Sequence, residues 1–557
     1  MKRILKYISI PLTLLFLFLF LTACQSNKAI IDQAYAKLFD GFDSYHVLED
    51  FTLSNQIDDV TILYVSNDEE IIKIETDDLN TTFKVTRPQE NVIMSIDVLL
   101  TYKKEEITYK KDLHVLKIGS IFDFTPYPGQ ASMQLLHDAM KKNKYRAGLP
   151  LNDASNLETR VQNILIIPIE FNDYTFSEND LTNLEIAFFG TEEETGYQSV
   201  KTYYYNSSYG KVDFQGDILE PYQTNQNANY YYQKYRSDDV DQEIMKEAII
   251  HYDSEIDYQI YDTDSDGYID AVYLIYAHTQ ESSSSSNNLW WAWEWEYNQI
   301  DRNNKYDGVK LGSYVWASKN FINEPISYYK KPYKYVNVNA SIYIHETGHL
   351  FGLEDYYDTN KNIGPSGGLG GLDMMDNNIG DHSSYSKIVL GWVVPEVIYQ
   401  SITIRIKPFE SSGEVILIPK KWNDSYFDEY LLVDFYTPTG LNAIGSGRGL
   451  YDISGVRIYH VSSEIGKNTN GYSSVLKYDN SDENIKLIKL IEANNLNIIE
   501  SMRTSYLSTV EANGILFLKQ SNFDFASYTW NDNKELGFTI TILDITKDYA
   551  DIKITYS

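Results

Sequence analysis

Short runs of apolar and β-branched residues, separated by polar turns, dominate two parts of the chain, residues 45–118 and residues 397–557. Such runs predict short strands, and their close spacing is typical of β-sandwich folds. Between them, in residues 119–396, strand-like runs alternate with segments of helical periodicity. The 557 residues exceed one ordinary domain. We therefore predict a multidomain protein, in which an α+β domain lies between an N-terminal β-sandwich and a C-terminal β-rich domain.

Two segments of the middle domain have clear patterns. Residues Gln242 to Tyr252 place apolar side chains at helical spacing, which predicts an amphipathic helix. Farther on, four aromatic residues occupy every second position, which predicts a strand with one aromatic face. These residues are Trp291, Trp293, Trp295 and Tyr297. We expect this face to pack in the core, and a wall of a substrate cleft is the alternative.

The N-terminus has the pattern of an export signal. Lys2, Arg3 and Lys6 form a basic segment, and an apolar run from Ile8 to Ala23 follows. This run is short for a membrane span, which needs about 20 residues. Residues 1–23 are therefore predicted to be a signal peptide, with an uncleaved anchor helix as the alternative.

A single cysteine follows the apolar run. The sequence Leu-Thr-Ala-Cys resembles a bacterial lipobox, in which the cysteine is lipidated and becomes the mature N-terminus. Cys24 is the only cysteine of the chain, so no intramolecular disulfide can form. We expect a lipoprotein attached through Cys24 to the extracellular face of the bacterial cell membrane, or released from it. Residues 24–44 would then be a tether.

The charge balance narrows the range of partners. The chain has 47 Lys and Arg against 79 Asp and Glu, a net charge of −32. A protein this acidic is a poor candidate for binding nucleic acid or anionic lipid through charge. We expect a soluble monomer that binds cations readily.

The most specific motif lies in a predicted helix over residues 339–351. His345 and His349 are four residues apart, which places both imidazoles on one helix face about 5–6 Å apart at Cβ. Two imidazoles so placed can hold one Zn²⁺, with Glu346 beside a water molecule on the metal. Gly352 can take a left-handed conformation and end the helix. The chain can then turn back and bring Asp355 to the same metal.

A glycine-rich turn with two methionines lies about 20 residues beyond this motif. In zinc proteases of the metzincin type, a methionine turn passes beneath the metal and gives its ligands an apolar floor. Met375 fits this role, and Met374 is the alternative. His382, a few residues later, is expected to be a solvent-facing or structural residue rather than a substrate or oxyanion contact.

An acidic loop before a predicted strand has the spacing of an EF-hand-type calcium loop. Its predicted ligands are Asp262, Asp264, Asp266, the carbonyl of Tyr268, and Asp270. Gly267 makes the turn. At position 12, Tyr273 replaces the usual bidentate glutamate, which weakens the prediction of Ca²⁺ affinity. A solvated acidic turn is the alternative.

Several of these segments together resemble the immune inhibitor A family of secreted bacterial metallopeptidases. They run in family order over about residues 145–392, and weaker echoes extend the resemblance to about residue 465. The resembling stretches are YRAGLPL, SVKTYYYNSSYGKVDF, DTDSDGYIDAVYLIYAH, HETGHLFGLEDYYD, GGLDMMDN and SYSKIVLGW. The resemblance implies a metzincin-like protease domain with catalytic zinc and structural calcium.

By position, the resemblance implies zinc ligands, a base and a methionine turn. Zinc falls on His345, His349 and Asp355, the base on Glu346 and the methionine turn on Met375. Glu354 adjoins Asp355 and is the rival third ligand, although the family's spacing favours Asp355.

The flanking regions carry no chemistry of their own. Residues 45–118 resemble the atrophied immunoglobulin-like domains of bacterial surface proteins, and we expect a spacer. Residues 119–150 are a lead-in to the protease domain or a pro-segment. Residues 397–557 are expected to be an accessory domain that packs on the protease or binds substrate.

The predicted function is zinc-dependent endopeptidase activity on proteins or peptides. Zinc would polarise the scissile carbonyl and lower the pKa of its bound water to about 7, and Glu346 would be the general base. The alternative is a surface lipoprotein that binds a host or matrix ligand without cleaving it.

Overall fold

The computed structural model divides the chain into two compact units, Met1–Tyr127 and Pro128–Ser557. The described residues are 26–39, 42, 47, 50–77, 79–88, 92–115, 148–152, 158–235, 238–281, 288–328, 331–334, 336–360, 362–365, 368–421, 426, 428–445, 451–467, 473–501, 512–519, 521 and 523–557. The predicted signal peptide and Cys24 lie outside them, as does most of the predicted lead-in at 119–150. No helix of the described part of the chain is long and apolar enough to cross a membrane.

The described residues of the first unit form two antiparallel sheets and one helix. Its elements are α1 (Asn27–Leu38), β1 (Phe51–Ser54), β2 (Gln56–Ile57), β3 (Val60–Ser66), β4 (Ile72–Thr76), β5 (Asn80–Val85), β6 (Val92–Tyr102) and β7 (Glu105–Val115). The sheet orders are β2-β3-β6-β7 and β1-β5-β4. Apolar side chains of both sheets, such as Ile62, Ile96 and Phe83, share one core. The described strands lie within the range 45–118 in which the sequence predicts strands, and the immunoglobulin-like assignment stays a prediction.

The helix α1 corrects the predicted tether over residues 24–44. Ser26 caps the helix by accepting a hydrogen bond from the Ala29 N–H, and Ile31, Ala34 and Leu38 are buried in the core of the unit. Their spacing of three and four residues places them on one helix face. These three apolar side chains are enough to pack α1 on the core of a small unit. The segment therefore forms a docked helix rather than an extended tether.

The second unit is built on a mixed sheet. Its strands are β8 (Arg160–Glu170), β9 (Val212–Ile218), β10 (Tyr222–Gln223), β11 (Val272–Tyr276), β12 (Trp293–Glu296) and β13 (Ser313–Ser318), and its order is β10-β8-β11-β13-β12 with β9 also paired to β8. All the pairings are parallel except that of β12 with β13. A separate hairpin pairs β14 (Ile326–Tyr328) with β15 (Lys331–Lys334).

Helices cover both faces of this sheet. They are α2 (Glu178–Phe189), α3 (Glu192–Thr195), α4 (Val200–Ser207), α5 (Ala228–Lys234), α6 (Val240–Tyr252) and α7 (Ser341–Leu350), with short 3-10 turns at Tyr258–Tyr261 and Lys319–Asn323. Successive side chains of β8 point to opposite faces. Ile164 and Ile166 join the core that contains α7, while Leu165 and Ile167 join the core that contains α6. The predicted helices at 242–252 and 339–351 correspond to α6 and α7.

The remaining chain is rich in short strands, as predicted for residues 397–557. Its helices are α8 (Met374–Asn377), α9 (Ser384–Val389), α10 (Phe409–Ser412), α11 (Ile498–Ser501) and α12 (Ala512–Ile515), with a 3-10 turn at Gly440–Gly445. Its strands are β16 (Glu396–Val397), β17 (Ile402–Ile406), β18 (Val415–Pro419), β19 (Glu429–Tyr436), β20 (Gly455–Ser462), β21 (Ile465–Lys467), β22 (Ser473–Leu476), β23 (Ile488–Leu490), β24 (Phe538–Ile545) and β25 (Ala550–Tyr556).

These strands form sheets of order β16-β18-β19-β20-β23, β17-β25-β24 and β21-β22. Leu417, Leu432 and Tyr459 of the five-stranded sheet belong to the same core as Ile344 of α7. One apolar core therefore crosses the predicted boundary at 396/397, and a separate accessory domain stays a prediction.

The packing of α1 makes a prediction about stability. Ile31→Ala should lower the free energy of unfolding of the first unit by about 2–5 kcal/mol, because it leaves a cavity in the core. The exposed neighbour Gln33 provides a control, and Gln33→Ala should change the free energy by about 0.5 kcal/mol or less. Hydrogen exchange at the β3 and β6 amides of the full chain measures both. Equal, negligible effects would contradict the docked helix.

Candidate metal centre

The helix α7 carries the predicted motif and is held in the core along one side. Tyr343, Ile344 and Leu350 are fully buried there. The helix ends where the sequence predicts, because Gly352 adopts a left-handed backbone with φ of 102°. The Leu353 N–H then donates to the Gly348 carbonyl at 3.0 Å and closes the turn. The reversal directs the following residues back toward the helix.

This reversal brings three side chains of the motif together. His345 Nε2 lies 3.1 Å from His349 Nε2 and 3.1 Å from Asp355 Oδ1. The distance from His349 Nε2 to Asp355 Oδ1 is 3.3 Å. A tetrahedral zinc site with bonds of 2.0–2.1 Å has ligand atoms about 3.3 Å apart. Two imidazoles and a carboxylate at this spacing therefore fit a zinc ion.

A backbone carbonyl near Nδ1 orients each of the two imidazoles. His345 Nδ1 lies 3.1 Å from the Met374 carbonyl, and His349 Nδ1 lies 2.8 Å from the Leu353 carbonyl. A carbonyl only accepts, so each Nδ1 carries a proton, and the neutral form of each ring presents the Nε2 lone pair to the shared position. The tautomers thus match metal coordination.

The rival ligand Glu354 takes no part in this arrangement. Among the described residues, the ligand atoms of His345, His349 and Asp355 lie within 4.8 Å of one another, and Glu354 does not belong to this group. Glu354 instead lines the neighbouring cleft. The structure therefore favours Asp355 as the third ligand.

Without a metal, the three side chains stabilise one another by charge. Burial alone would raise the pKa of Asp355, but the charges of the two histidines and their hydrogen bonds hold it well below its usual range. Burial alone would lower the pKa of His345, but the hydrogen bond and the charge of Asp355 raise it to about 9. A bound cation would take over the role of this imidazolium.

Glu346 points into the same cleft. Glu346 is 6% exposed, and no described residue donates a hydrogen bond to its carboxylate. Burial raises its pKa, and the negative charges of Asp355 and Glu294 add to this, while the two histidines act against it. A carboxylate with a raised pKa beside a metal position has the properties of a general base.

The two methionines of the predicted turn have different functions. Met375 is fully buried, and a Cβ added at Gly348 would lie 2.4 Å from its sulfur. The methionine thus packs directly against α7, at a point where only a glycine leaves room. Met374 contributes its carbonyl to His345 instead. The structure therefore packs Met375 against α7 and gives Met374 a backbone role, and the methionine turn beneath a metal stays a prediction.

Asp373 holds the methionine turn and was not recognised from the sequence. Its Oδ1 accepts from the Met375 N–H at 2.7 Å, and its Oδ2 accepts from the Ser383 N–H at 2.6 Å. His382 is fully buried beside it, with Nδ1 3.6 Å from Asp373 Oδ1. This placement away from the cleft supports the structural role expected for His382. A single aspartate in a polar turn has no distinctive sequence signal.

Tyr357 is a second residue that sequence reasoning missed. It lines the cleft, its ring lies 6.5 Å from that of His345, and the charge of Asp355 acts on its hydroxyl. Burial raises its pKa well above the ordinary value. The phenol therefore stays protonated and is available as a hydrogen-bond donor. Its position two residues after Asp355 was the available signal.

The cleft has a volume of about 1030 Å³, and the strand β12 forms one wall. Side chains directly opposite on paired strands share a face. Glu294 lies opposite Val315, which belongs to the core that contains α7. Trp293 lies opposite Trp316, in the core on the other side of the sheet. The acidic side of β12 therefore faces the metal centre.

This register corrects the expectation that the aromatic face is a core face throughout. Tyr297 is buried, and Trp293 packs near Trp316 with ring centroids 6.3 Å apart. Trp295 is 56% exposed. Because β12 is short and lies at the sheet edge, its aromatic face is only partly covered.

The acidic loop also brings its side chains together. The four aspartates of the loop have ligand atoms within 4.8 Å of one another: Asp262, Asp264, Asp266 and Asp270. Gly267 turns the loop with φ of 91°, as expected. Burial raises the pKa of Asp270 to about 8. Clustered carboxylate oxygens suit a hard cation such as Ca²⁺, which would relieve this burial cost.

Tyr273, at position 12 of the loop, faces elsewhere. Its hydroxyl lies 2.8 Å from Thr347 Oγ1 on α7. It therefore supplies no ligand to the loop, and links β11 to the helix of the metal centre. The carbonyl of Tyr268 stays a predicted ligand.

Comparisons with known proteins give little further information. No family model matches the chain, and no curated protein matches it. The chain is similar to the crystal structure of metalloproteinase-II from Bacteroides fragilis, at 12% identity, over 62% of this chain and 98% of that chain. The TM-score is 0.21, which carries no argument about this protein.

The protonation of His345 predicts how zinc affinity depends on pH. Its pKa of about 9 in the metal-free site means that a proton must leave before Nε2 can coordinate, so affinity falls as pH falls below that value. We expect about a tenfold loss per pH unit for each proton displaced. Calorimetry in buffers of different ionisation enthalpy measures affinity and proton release together.

Two neighbouring carboxylates provide the control for this measurement. Asp355→Asn should abolish tight zinc binding, whereas Glu354→Gln should leave it unchanged. The reverse ranking would make Glu354 the ligand, and an affinity independent of pH from 6 to 8 would contradict the coupling described above.

The acidic loop predicts stabilisation by calcium. Millimolar Ca²⁺ should raise the melting temperature by about 2 °C or more, because the ion binds only the folded loop. Asp264→Asn should reduce the shift. The exposed Asp253 lies outside the loop, and Asp253→Asn should preserve it. Differential scanning calorimetry measures these melting temperatures. An unchanged melting temperature in the presence of Ca²⁺ would favour the alternative of a solvated acidic turn.

Proposed function

We propose that the protein is a zinc-dependent endopeptidase. One observation carries the proposal: three side chains with the ligand spacing of a tetrahedral zinc site open, together with Glu346, into one large cleft. Two imidazoles, a carboxylate and a buried glutamate form the donor set and base that hydrolysis of an amide requires.

His345, His349 and Asp355 would hold the zinc ion. When bound there, zinc supplies a Lewis acid that polarises a peptide carbonyl and acidifies a water molecule. The Glu346 carboxylate accepts a proton from the attacking water and passes it to the leaving amine nitrogen. General acid–base transfer of this kind contributes about 10²–10⁴ in rate. The raised pKa of Glu346 favours the protonated carboxyl group, which is the form present after it takes the proton from water and before it gives that proton to the amine.

The wall formed by β12 supports a peptide as substrate. In the described part of the chain, β12 is the last strand at one end of the sheet, and it lines the cleft. An extended peptide can add to such an edge as a further strand. This docking would carry a peptide bond past the metal centre.

Tyr357 would position Asp355. Its protonated hydroxyl would donate to the carboxylate and help to orient the oxygen that faces the two histidines. Hydrogen bonds behind a metal ligand orient it and raise the affinity for the metal. Because Tyr357 also lines the cleft, its ring lies where a bound peptide would pass.

The proposal includes a location and a second ion. The signal peptide of residues 1–23 and a lipid on Cys24 would place the enzyme outside the cell at the membrane, or release it there. Calcium at the acidic loop would be structural. A surface protein that binds a ligand without cleaving it is the competing outcome of the first experiment below.

Glu346→Ala should give a folded, zinc-loaded protein with activity reduced by about 10²-fold or more, because the base is lost. His349→Ala should lose zinc and activity together. A chelator-sensitive digest of casein, with metal analysis of each variant, measures both. Full activity of Glu346→Ala would refute this mechanism, and inactivity of the zinc-loaded native protein would favour the binding function.

Tyr357→Phe should reduce zinc affinity or kcat/KM by about 10- to 100-fold, because Asp355 loses its donor. Tyr385→Phe removes a buried hydroxyl away from the cleft and should leave both quantities unchanged. Affinity is measured by chelator competition and kcat/KM with a peptide substrate. Identical behaviour of the two variants would remove Tyr357 from the site.

A further inference from the structure

The segment that carries Asp355 has little local support. His345 and His349 are fixed by the hydrogen bonds of α7, whereas residues 353–356 belong to no helix or strand. The affinity of a metal site is highest when its ligands are already in place, because ordering them on binding costs free energy. The position of Asp355 therefore depends on contacts from elsewhere in the fold.

A loop at residues 477–487, between β22 and β23, supplies one of these contacts. Asn480 of this loop is 1% exposed. Its Nδ2 donates to the carbonyls of Tyr356 and Ile488, both at 2.8 Å, and its Oδ1 accepts from the Ile488 N–H at 3.1 Å. The side chain thus joins the end of the loop to the residue that follows Asp355.

Tyr356 is also held at its other polar groups. Its N–H donates to the Met375 carbonyl at 3.1 Å, and its hydroxyl lies 3.0 Å from Ser386 Oγ. The bond from Asn480 fixes the remaining group, the carbonyl. It therefore sets the orientation of the peptide group that connects Tyr356 to Tyr357, which lines the cleft.

The loop is held in shape by its own hydrogen bonds. Asp479 Oδ1 accepts from the Ser481 N–H at 2.7 Å, and Lys486 Nζ donates to the Asn480 carbonyl at 2.9 Å. Ser481 Oγ in turn accepts from the Thr359 N–H at 3.0 Å. The loop therefore contacts the chain beyond the ligand at two points, and each contact comes from an ordered side chain.

Resting on the proposed function, which requires a metal ion at Asp355, we propose that Asn480 is a positioning residue of the metal centre. Through the Tyr356 carbonyl it keeps Asp355 at the distance from the two histidines that a tetrahedral ion requires. Without this side chain a buried carbonyl loses its partner, and the segment shifts to expose it to water. The C-terminal region then takes a direct part in the metal centre.

Substitutions of Asn480 are compared with matched substitutions of Asn484, an exposed residue of the same loop. Asn480→Ala and Asn480→Asp should each lower zinc affinity about 10- to 100-fold, measured by chelator competition. Asn484→Ala and Asn484→Asp should leave it unchanged. Asn480→Asp adds a negative charge, which by itself would favour a cation, so its loss of affinity would come from the lost hydrogen bond. Native affinity in both Asn480 variants would overturn the inference.

The absorption spectrum of bound Co²⁺ separates positioning from a loss of stability. Visible absorption of this ion reports the geometry of its ligands. The Co²⁺-loaded Asn480 variants should differ from the native protein in band position or intensity, and the Asn484 variants should not. A merely structural role would change the melting temperature alone, so a native spectrum in both Asn480 variants would overturn the inference.

Hydrogen exchange of the native protein gives a test that needs no variant to fold. Zinc must stabilise the loop if the loop stabilises the zinc site, because coupling is reciprocal. Zinc should therefore slow exchange of the Ile488 N–H, which donates to Asn480, and leave the amides of the first unit unchanged. Unchanged exchange at Ile488 would overturn the inference.

These measurements distinguish failure of this inference from failure of the proposed function. If the native protein binds zinc without cleaving casein, and the Asn480 variants lose affinity, the endopeptidase proposal falls and the positioning role stands. If casein is cleaved and the Asn480 variants bind zinc as the native protein does, the positioning role falls and the endopeptidase proposal stands.

Discussion

The contact between Gly348 and Met375 fixes the relation of the helix to the turn beneath it. With any larger residue at 348, the methionine sulfur would have to move, because a Cβ would approach it to 2.4 Å. Protein interiors are close-packed and transmit such displacements. The same turn supplies the carbonyl of Met374 that orients His345. One packing contact therefore sets the position of the ligand helix and the rotation of a ligand ring together.

The metal centre is surrounded by a core larger than the predicted protease domain. The helix α7 packs on the central sheet, and the same apolar cluster continues into the five-stranded sheet beyond residue 397. Tyr273 adds a polar link, since this strand residue pairs with Thr347 on the helix and follows the acidic loop. The ligand geometry thus depends on segments separated by more than a hundred residues in sequence.

The sequence predicted those parts of the metal centre that depend on short spacings along the chain. His345, His349, the turn at Gly352 and Asp355 form a local pattern whose geometry follows from helix periodicity and one left-handed residue. Tyr357, Asp373 and the acidic face of β12 were not predicted as parts of the site, because their roles come from hydrogen bonds and strand register. The helix α1 was missed for a related reason: its three buried residues make a stripe too narrow to be distinguished from a polar linker.

That helix has a consequence for the reach of the protein. Ser26 already caps α1, so the proposed lipid at Cys24 would be separated from folded structure by one residue. An extended residue spans at most about 3.6 Å, so this connection would be on the order of 10 Å or less. The first unit would then lie at the level of the lipid headgroups. The distance from the membrane at which the enzyme could act would depend on residues that follow this unit.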